Sequence, residues 1–535
     1  MKINRAELLL GLIISLGIGL RTVNLNGQPV SIYWDEAAMA YDAFSLTQTG
    51  QDMHGHSLWQ AIFPSYGDYK LPLYIWLAAV MMKILGPTVT AFRLVSALSG
   101  SVLIGLSYLL AKEVFKSKAA GLASAVVIAF SPWAIHFSRV GFEANLAVTC
   151  LTGAVWLLFR ARQKPAYLMG AAGLMGLSLY AYFSARFVGP LITLSFLLLY
   201  GRQLPRRFWS WLGAAGLVFF LIFWPIYRSE YGQVSQQFRL STESLWNTND
   251  HILDQNRYRE LAGNHWLARL VYHRWWFLSR RLMVNLSAFF DWRYLFFTGD
   301  PNLRHGTGRV GLFLMPLIAF LGAGIIRGLK RHSRAVIFLL SWWLIAVIPA
   351  AIPLTVPHAL RSLNALPAVA GLIGYGIASW LTSRRQIFRL IGIGLLVSSG
   401  LWFFYYWHDY WHHYPARSAA AWQYGYEAAA RYLGGDQFQA KSIQVEVLDR
   451  LYLYFLWFNR IDPTLVQNQT TNFQISQFER FRFVPINQET VAGMKPGTVI
   501  MIRADEPVSL TGWRLLETIN DYQTLPLYQI YEKNS

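Results

Sequence analysis

The chain has 535 residues, of which 54% are hydrophobic, 16% aromatic and only 14% charged. Soluble domains carry about 25% charged residues, so a soluble enzyme built on one large core is excluded. The net charge of +19 would suit nucleic acid, but most Lys and Arg stand in short loops between apolar runs. That is the positive-inside pattern of a polytopic helical membrane protein, and it excludes a nucleic-acid partner.

The first apolar segment runs from about 8 to 25 and shows no small-residue cleavage site, so it reads as a retained anchor. Lys2 and Arg5 before it place the N-terminus in the cytoplasm. The stretch Ser31–Asp42 follows almost at once and sets Asp35 and Glu36 beside Tyr33 and Trp34. An isolated acidic pair is most often a solvated surface feature. Close to a bilayer, carboxylates are costly unless they stay wet, are paired, or have work to do.

The segment Leu71–Gly86 has 16 residues and contains Lys83. It is shorter than the roughly 20 residues of a spanning helix and is expected to lie as an interfacial or re-entrant helix on the outer side. Spanning helices are expected near 8–25, 91–113, 119–138, 143–160, 166–183, 186–201, 208–226, 309–326, 335–352, 364–382 and 387–407. That makes eleven, in a range of 10 to 13, with the C-terminus outside. This topology puts the basic clusters at 112–118, 160–165, 202–207, 327–334 and 384–389 in the cytoplasm. The single Cys150 lies in an apolar run and can form no intrachain disulfide.

The expected organisation is a transmembrane domain over 1–407, with outer loops at 26–90 and 227–308, and an outer domain over 408–535. In the long loop, the Trp/Arg mixture from Trp266 to Leu282 suits a helix at the lipid headgroups, as an anchor or a lipid-phosphate contact. The tail has a helical pattern over Ser418–Leu433 and strand-like runs at Ser442–Val447, Phe481–Val484, Thr498–Ile502 and Leu525–Tyr531. The fold class is therefore an all-α polytopic membrane protein with a small C-terminal α/β domain. No catalytic motif stands out in the tail, which reads best as a lid, docking or stability domain.

The unusual polar residues all fall on the outer side of this topology. They are Asp35, Glu36 and Asp42, then Asp68 and Lys70, Arg139 and Glu143, Arg186, and His358 with Arg361. One outward-facing cavity could collect them. Its chemistry would be group transfer from a lipid-phosphate donor, a carboxylate acting as general base on an acceptor hydroxyl and fixed cations stabilising the departing phosphate. Phosphate needs no proton to leave, so one carboxylate suffices. No metal is assigned, although Asp35, Glu36 and Glu143 could hold a divalent cation through oxygen ligands.

Trp34-Asp35-Glu36 after the first helix resembles the bacterial members of the dolichyl-phosphate-mannose protein mannosyltransferase superfamily, a group with the GT-C fold that includes the lipid A aminoarabinose transferase. Tyr69-Lys70-Leu71-Pro72-Leu73 is similar to the family's Lys-Pro-Pro-Leu element, with Leu71 in place of the first Pro. Gly86 with Phe92-Arg93-Leu94, Ser138-Arg139 with Glu143, Phe297-Thr-Gly-Asp300 with Arg304-His305, and His358 with Arg361, Leu366 and Pro367 follow in the family's order. The resemblance implies an inverting glycosyltransferase that uses a polyprenyl-phosphate-linked sugar donor and a lipid, glycan or protein acceptor. It gives Asp35 the catalytic position, and Lys70 and Arg361 the donor phosphate. A lipid or solute transporter would also carry intramembrane polar residues, but should show internal repeats, and none is found. A non-catalytic scaffold leaves Asp35 and Lys70 unexplained.

Overall fold

The structure is a computed structural model and describes residues 5–232, 234, 235, 244–247, 249–467, 469 and 475–534. Lys2 and parts of the expected long loop and tail lie outside the described residues. The chain divides into two compact units.

The first unit comprises Met1–Val23, Ser96–Ser138 and Phe142–Trp407. A helix lies in each of the eleven expected spans. Among the described residues, five helices are long and apolar enough to cross a membrane: Val89–Phe115, Arg206–Arg228, Ser333–Ala351, Leu363–Leu381 and Gln386–His412. A bent pair, α5 (Lys118–Phe130) and α6 (Pro132–Arg139), makes a sixth if it is one span. The remaining helices in expected spans are 13 to 18 residues long, so among the described residues length and composition alone mark five or six of the eleven expected spans.

The bend in the pair measures 55°, and its cause is local. Pro132 has no N–H to give the turn before it and pushes Ser131 into an extended conformation (ψ 126°). The carbonyls of Ile128 and Ala129 thereby lose their helical donors. Arg21, at the end of α1 (Arg5–Thr22), supplies replacements at 2.8 and 3.1 Å and is itself fully buried. A buried cation in an apolar unit is tolerable when it satisfies stranded carbonyls in this way. Elsewhere glycines let backbones touch. A Cβ on Gly376 would stand 1.9 Å from the Phe320 carbonyl oxygen, and one on Gly324 2.0 Å from that of Leu372. Small residues at such crossings are the usual device of membrane helix packing.

The second unit comprises Asn24–Val95, Arg139–Gly141 and His408–Ser535, so the first outer loop and the tail share one compact body. The loop holds α2 (Trp34–Thr49), a hairpin of β1 (Phe63–Ser65) and β2 (Asp68–Lys70), and α3 (Pro72–Leu85). Gly67 closes the hairpin's two-residue turn at φ 85°, a value that favours glycine. Pro72 opens α3, where its missing N–H would have been an orphan anyway. At 14 residues α3 is too short to span.

In the tail, β3 (Ile443–Glu446) lies between β5 (Phe481–Val484) and β6 (Val499–Arg503), all parallel. The flanking strands β4 (Gln477–Phe478), β8 (Pro526–Lys533) and β7 (Trp513–Asn520) are antiparallel, in the order β4-β5-β3-β6-β8-β7. The four strand-like runs of the sequence are β3, β5, β6 and β8; the half-exposed β7 and short β4 lack a strong pattern. The Ser418–Leu433 pattern breaks at Gly425 (φ 97°), leaving a 3-10 turn at Ala420–Trp422 and an α-helix over Tyr426–Leu433. Loop and tail are joined by hydrogen bonds from Tyr41 to the Ile461 carbonyl and from Tyr454 to the Ile32 carbonyl, both 3.0 Å.

Candidate active site

Asp35 and Glu36 both sit in the first turn of α2, because the extended Tyr33 (ψ 165°) gives way to helix at Trp34. Successive helical residues project about 100° apart. The two carboxylates therefore have different surroundings.

Glu36 points inward and is fully buried. Its oxygens accept from Arg93 Nε and Nη2, both at 2.8 Å, from the Gly141 N–H at 2.8 Å, and from the Tyr33 N–H at 3.3 Å. Arg93, equally buried, also donates to the carbonyls of Leu25, Pro29 and Ser31. Desolvating two charges is costly unless the geometry is good and every remaining donor and acceptor is used. Here they are used, and the pair pins the first loop to the start of α4 (Val89–Phe115).

Asp35 points elsewhere. Its Oδ1 lies 2.5 Å from Lys70 Nζ, which also reaches Asp68 Oδ2 at 3.1 Å. The hairpin sets this spacing: Asp68 and Lys70 are alternate residues of β2 and share one of its faces. The Lys70 side chain is 6% exposed, those of Asp35 and Asp68 18% and 26%. Asp35 Oδ2 has no hydrogen-bond partner among the described residues and is not sealed from solvent. The arrangement is a cation held between two carboxylates, one of which keeps a free oxygen for an incoming hydroxyl.

Behind this group lies a second polar cluster that the sequence reading touched only at Asp42. Burial and the neighbouring Asp52 hold the Asp42 carboxyl well above the usual carboxylate range, while burial brings His54 down to about 4. Asp42 Oδ1 accepts from the Met53 N–H at 3.1 Å.

Arg139 is buried and makes structural contacts, donating to the carbonyls of Gln28 and Asn24 and lying 5.2 Å from the ring centre of Trp411. Arg186, Glu143, His358 and Arg361 belong to the other unit. Arg186 stands over the Phe183 ring at 4.7 Å, Glu143 opens α7 (Glu143–Arg160), and the Arg361 N–H faces His358 Nδ1 at 3.4 Å. His358 belongs to a group with Asp300 and His305 whose ligand atoms lie within 4.8 Å of one another. Two imidazoles and a carboxylate are a donor set that suits Zn²⁺. Yet Asp300 Oδ2 already accepts from His305 Nδ1 at 2.9 Å and from the Ala359 N–H at 2.7 Å, an ordinary loop brace. Burial, then His305, Arg361 and Arg304, hold His358 well below the usual imidazole range, and the same arginines oppose a dication. Glu36 has both oxygens on Arg93, whereas Asp35 meets Lys70 through Oδ1 alone.

A family model described as dolichyl-phosphate-mannose-protein mannosyltransferase matches residues 69–227. A comparison with curated proteins returned no match. Among solved structures, ArnT from Cupriavidus metallidurans in the apo state aligns over 97% of both chains with a TM-score of 0.58 at 11% identity. The same protein bound to undecaprenyl phosphate gives 0.57, with the same coverage and identity. The oligosaccharyltransferase of Archaeoglobus fulgidus in the apo form gives 0.53 at 14% identity, over 94% of this chain and 70% of that one. These similarities show the fold. The chain is a multi-pass membrane protein with the GT-C fold and a small C-terminal sheet domain, as the Trp34-Asp35-Glu36 resemblance implied.

Proposed function

We propose that this chain is an integral-membrane glycosyltransferase that moves a sugar from a polyprenyl-phosphate donor to an acceptor hydroxyl, with inversion, using Asp35 as general base. The observation that carries the reading is the Asp35–Lys70–Asp68 group, in which Asp35 keeps one oxygen open. The GT-C fold and the mannosyltransferase family-model match support it, as does the undecaprenyl phosphate in the structure of a similar protein.

In the step we envisage, the acceptor oxygen bonds to the anomeric carbon while its proton passes to Asp35 Oδ2. The bond from that carbon to the phosphate oxygen breaks, and its electron pair leaves with polyprenyl phosphate. Lys70 fixes the orientation of Asp35 and places positive charge beside the forming phosphate anion, stabilisation that needs no reorganisation during reaction. General-base assistance of this kind supplies about 10² to 10⁴-fold. Glu36 acts through Arg93 to hold α2 in place and takes no proton. Arg361, Arg186, Glu143 and His358 keep their proposed donor or acceptor contacts on the sequence pattern alone. The proposed setting is the plasma membrane, with the N-terminus cytoplasmic and the tail outside.

The test is release of polyprenyl phosphate from a panel of polyprenyl-phosphate sugars by the purified protein in lipid, each donor paired with lipid, glycan and peptide hydroxyl acceptors. At least one donor should be consumed by the wild type and spared by Asp35→Asn. Consumption of none, or equal consumption by both, would overturn the reading.

A further inference from the structure

Arg450 comes from the tail, in the turn between β3 and the helix Tyr452–Phe458. Its φ is 58°, a left-handed conformation that costs a non-glycine residue about 1–2 kcal/mol. Such strain persists where surrounding contacts hold it, often at functional sites. The contacts here are two aromatic rings of the first loop, with the guanidinium carbon 4.9 Å from the Trp34 ring centre and 4.3 Å from that of Tyr66. Trp34 precedes Asp35. Tyr66 stands in the hairpin turn, and its ring also takes Lys70 Nζ at 5.3 Å.

The two cations on this ring differ in their bonding. Lys70 is taken up by Asp35 and Asp68. Arg450 is half-buried, and among the described residues its guanidinium makes no ion pair or hydrogen bond. Its ring contacts are cation–π interactions, which use none of its five N–H donors. A guanidinium lifted partly out of water, with its donor fork unspent, is suited to bidentate recognition of a phosphate.

We propose that Arg450, braced by Trp34 and Tyr66, is an anion contact through which the tail recognises a lipid-borne phosphate beside Asp35. This rests on the glycosyltransferase reading and gives the tail a part in substrate recognition. A tether that merely packs the tail on the loop would use the rings alone and would be indifferent to the ligand's charge.

The test compares binding of polyprenyl phosphate, polyprenol and inorganic phosphate to the full-length protein in nanodiscs. Wild type should prefer polyprenyl phosphate to polyprenol. Arg450→Gln should lose at least tenfold of that preference, and Arg450→Lys, which keeps the charge without the fork, should fall between wild type and Gln. In wild type, polyprenyl phosphate should shield Arg450 from phenylglyoxal, read by peptide mass spectrometry, while polyprenol and inorganic phosphate at equal concentration should not. The labelling arm needs no variant to fold. A wild type that ignores the phosphate sinks the glycosyltransferase reading itself. A wild type that discriminates, with Arg450→Gln equally selective, with Lys as damaging as Gln, or with Arg450 left unshielded, overturns the Arg450 assignment alone. Shielding by inorganic phosphate would overturn the lipid-borne source.

Discussion

Glu36 and Arg93 form a doubly hydrogen-bonded ion pair in which neither side chain has any solvent exposure. The residue next to Glu36 in sequence, Asp35, instead meets Lys70 at a partly open position. A step of about 100° within one helical turn thus separates a fully paired carboxylate from the proposed base, and the two should respond differently to the same isosteric change.

Glu36→Gln leaves the Arg93 guanidinium buried without its counter-charge. Breaking a buried pair from one side typically costs about 3–5 kcal/mol, so this variant should unfold at much lower temperature or fail to accumulate. Arg93→Met should do the same. Thermal unfolding in detergent decides it, and a Tm near wild type for both variants would show that the pair is not what holds the first loop.

Asp35→Asn should leave Tm within a few degrees of wild type while transfer falls by at least about 10². The measurement is single-turnover transfer with saturating donor. Normal turnover in a folded Asp35→Asn protein would falsify the general-base role.

Lys70→Arg should not be silent, since a planar fork cannot replace a compact ammonium that satisfies two carboxylates at once. Weakening one charge-assisted contact by about 1.5–3 kcal/mol predicts a fall in kcat/KM of roughly 10- to 150-fold. Steady-state kinetics on the purified variant provide the check, and wild-type kcat/KM would remove Lys70 from the machinery.

Acid should weaken the second unit through His54. Its folded-state pKa, brought down to about 4 from the ordinary 6.5, means that the fold disfavours the proton. This contribution is therefore whole above pH 6.5 and is lost as pH falls from 6.5 towards 4, in total about 3 kcal/mol. Asp42 has the opposite sign: its raised carboxyl pKa makes its contribution whole at low pH and lost as pH rises through the folded value. His54→Gln should flatten the fall in Tm between pH 6.5 and 4. An unchanged Tm profile would show that another group titrates there.

Orientation is open to labelling. In a Cys150→Ala background, Lys118→Cys should be reached only from the cytoplasmic side and Ser442→Cys only from outside. Lys118 is preferable to Ser117, whose hydroxyl caps α5 by accepting from the Ala120 N–H and whose loss would cost about 1 kcal/mol. Outside labelling of Lys118→Cys would reverse the topology on which the outer polar grouping was built.

Much of this protein is legible along the chain. Hydropathy runs located a helix in each of eleven segments, and the short, Lys83-containing run at Leu71–Gly86 was read as too short to span. Strands with alternating or buried patterns, such as β3 and β6, were visible too. Spans are less well defined. Several helices are shorter than a bilayer is thick, and the run 119–138 breaks at Ser131-Pro132, where proline disfavours helix in the residue before it. The start of the run 309–326 fails likewise, since its helix begins only after Pro316, at Leu317.

What the sequence determined by itself is what local chemistry decides. Apolar runs and their flanking charges mark a membrane protein, and an Asp-Glu pair after the first helix marks a place worth explaining. The tertiary structure decided which acid is sealed in an ion pair and which is left partly open. Glu36 and Arg93 are 57 residues apart, and Arg450 meets Trp34 from the far end of the chain. Periodicity reports only which face of its own element a residue occupies. Whether a charge is spent on a partner depends on which distant side chain folding brings within about 3–4 Å, and on whether water is excluded there.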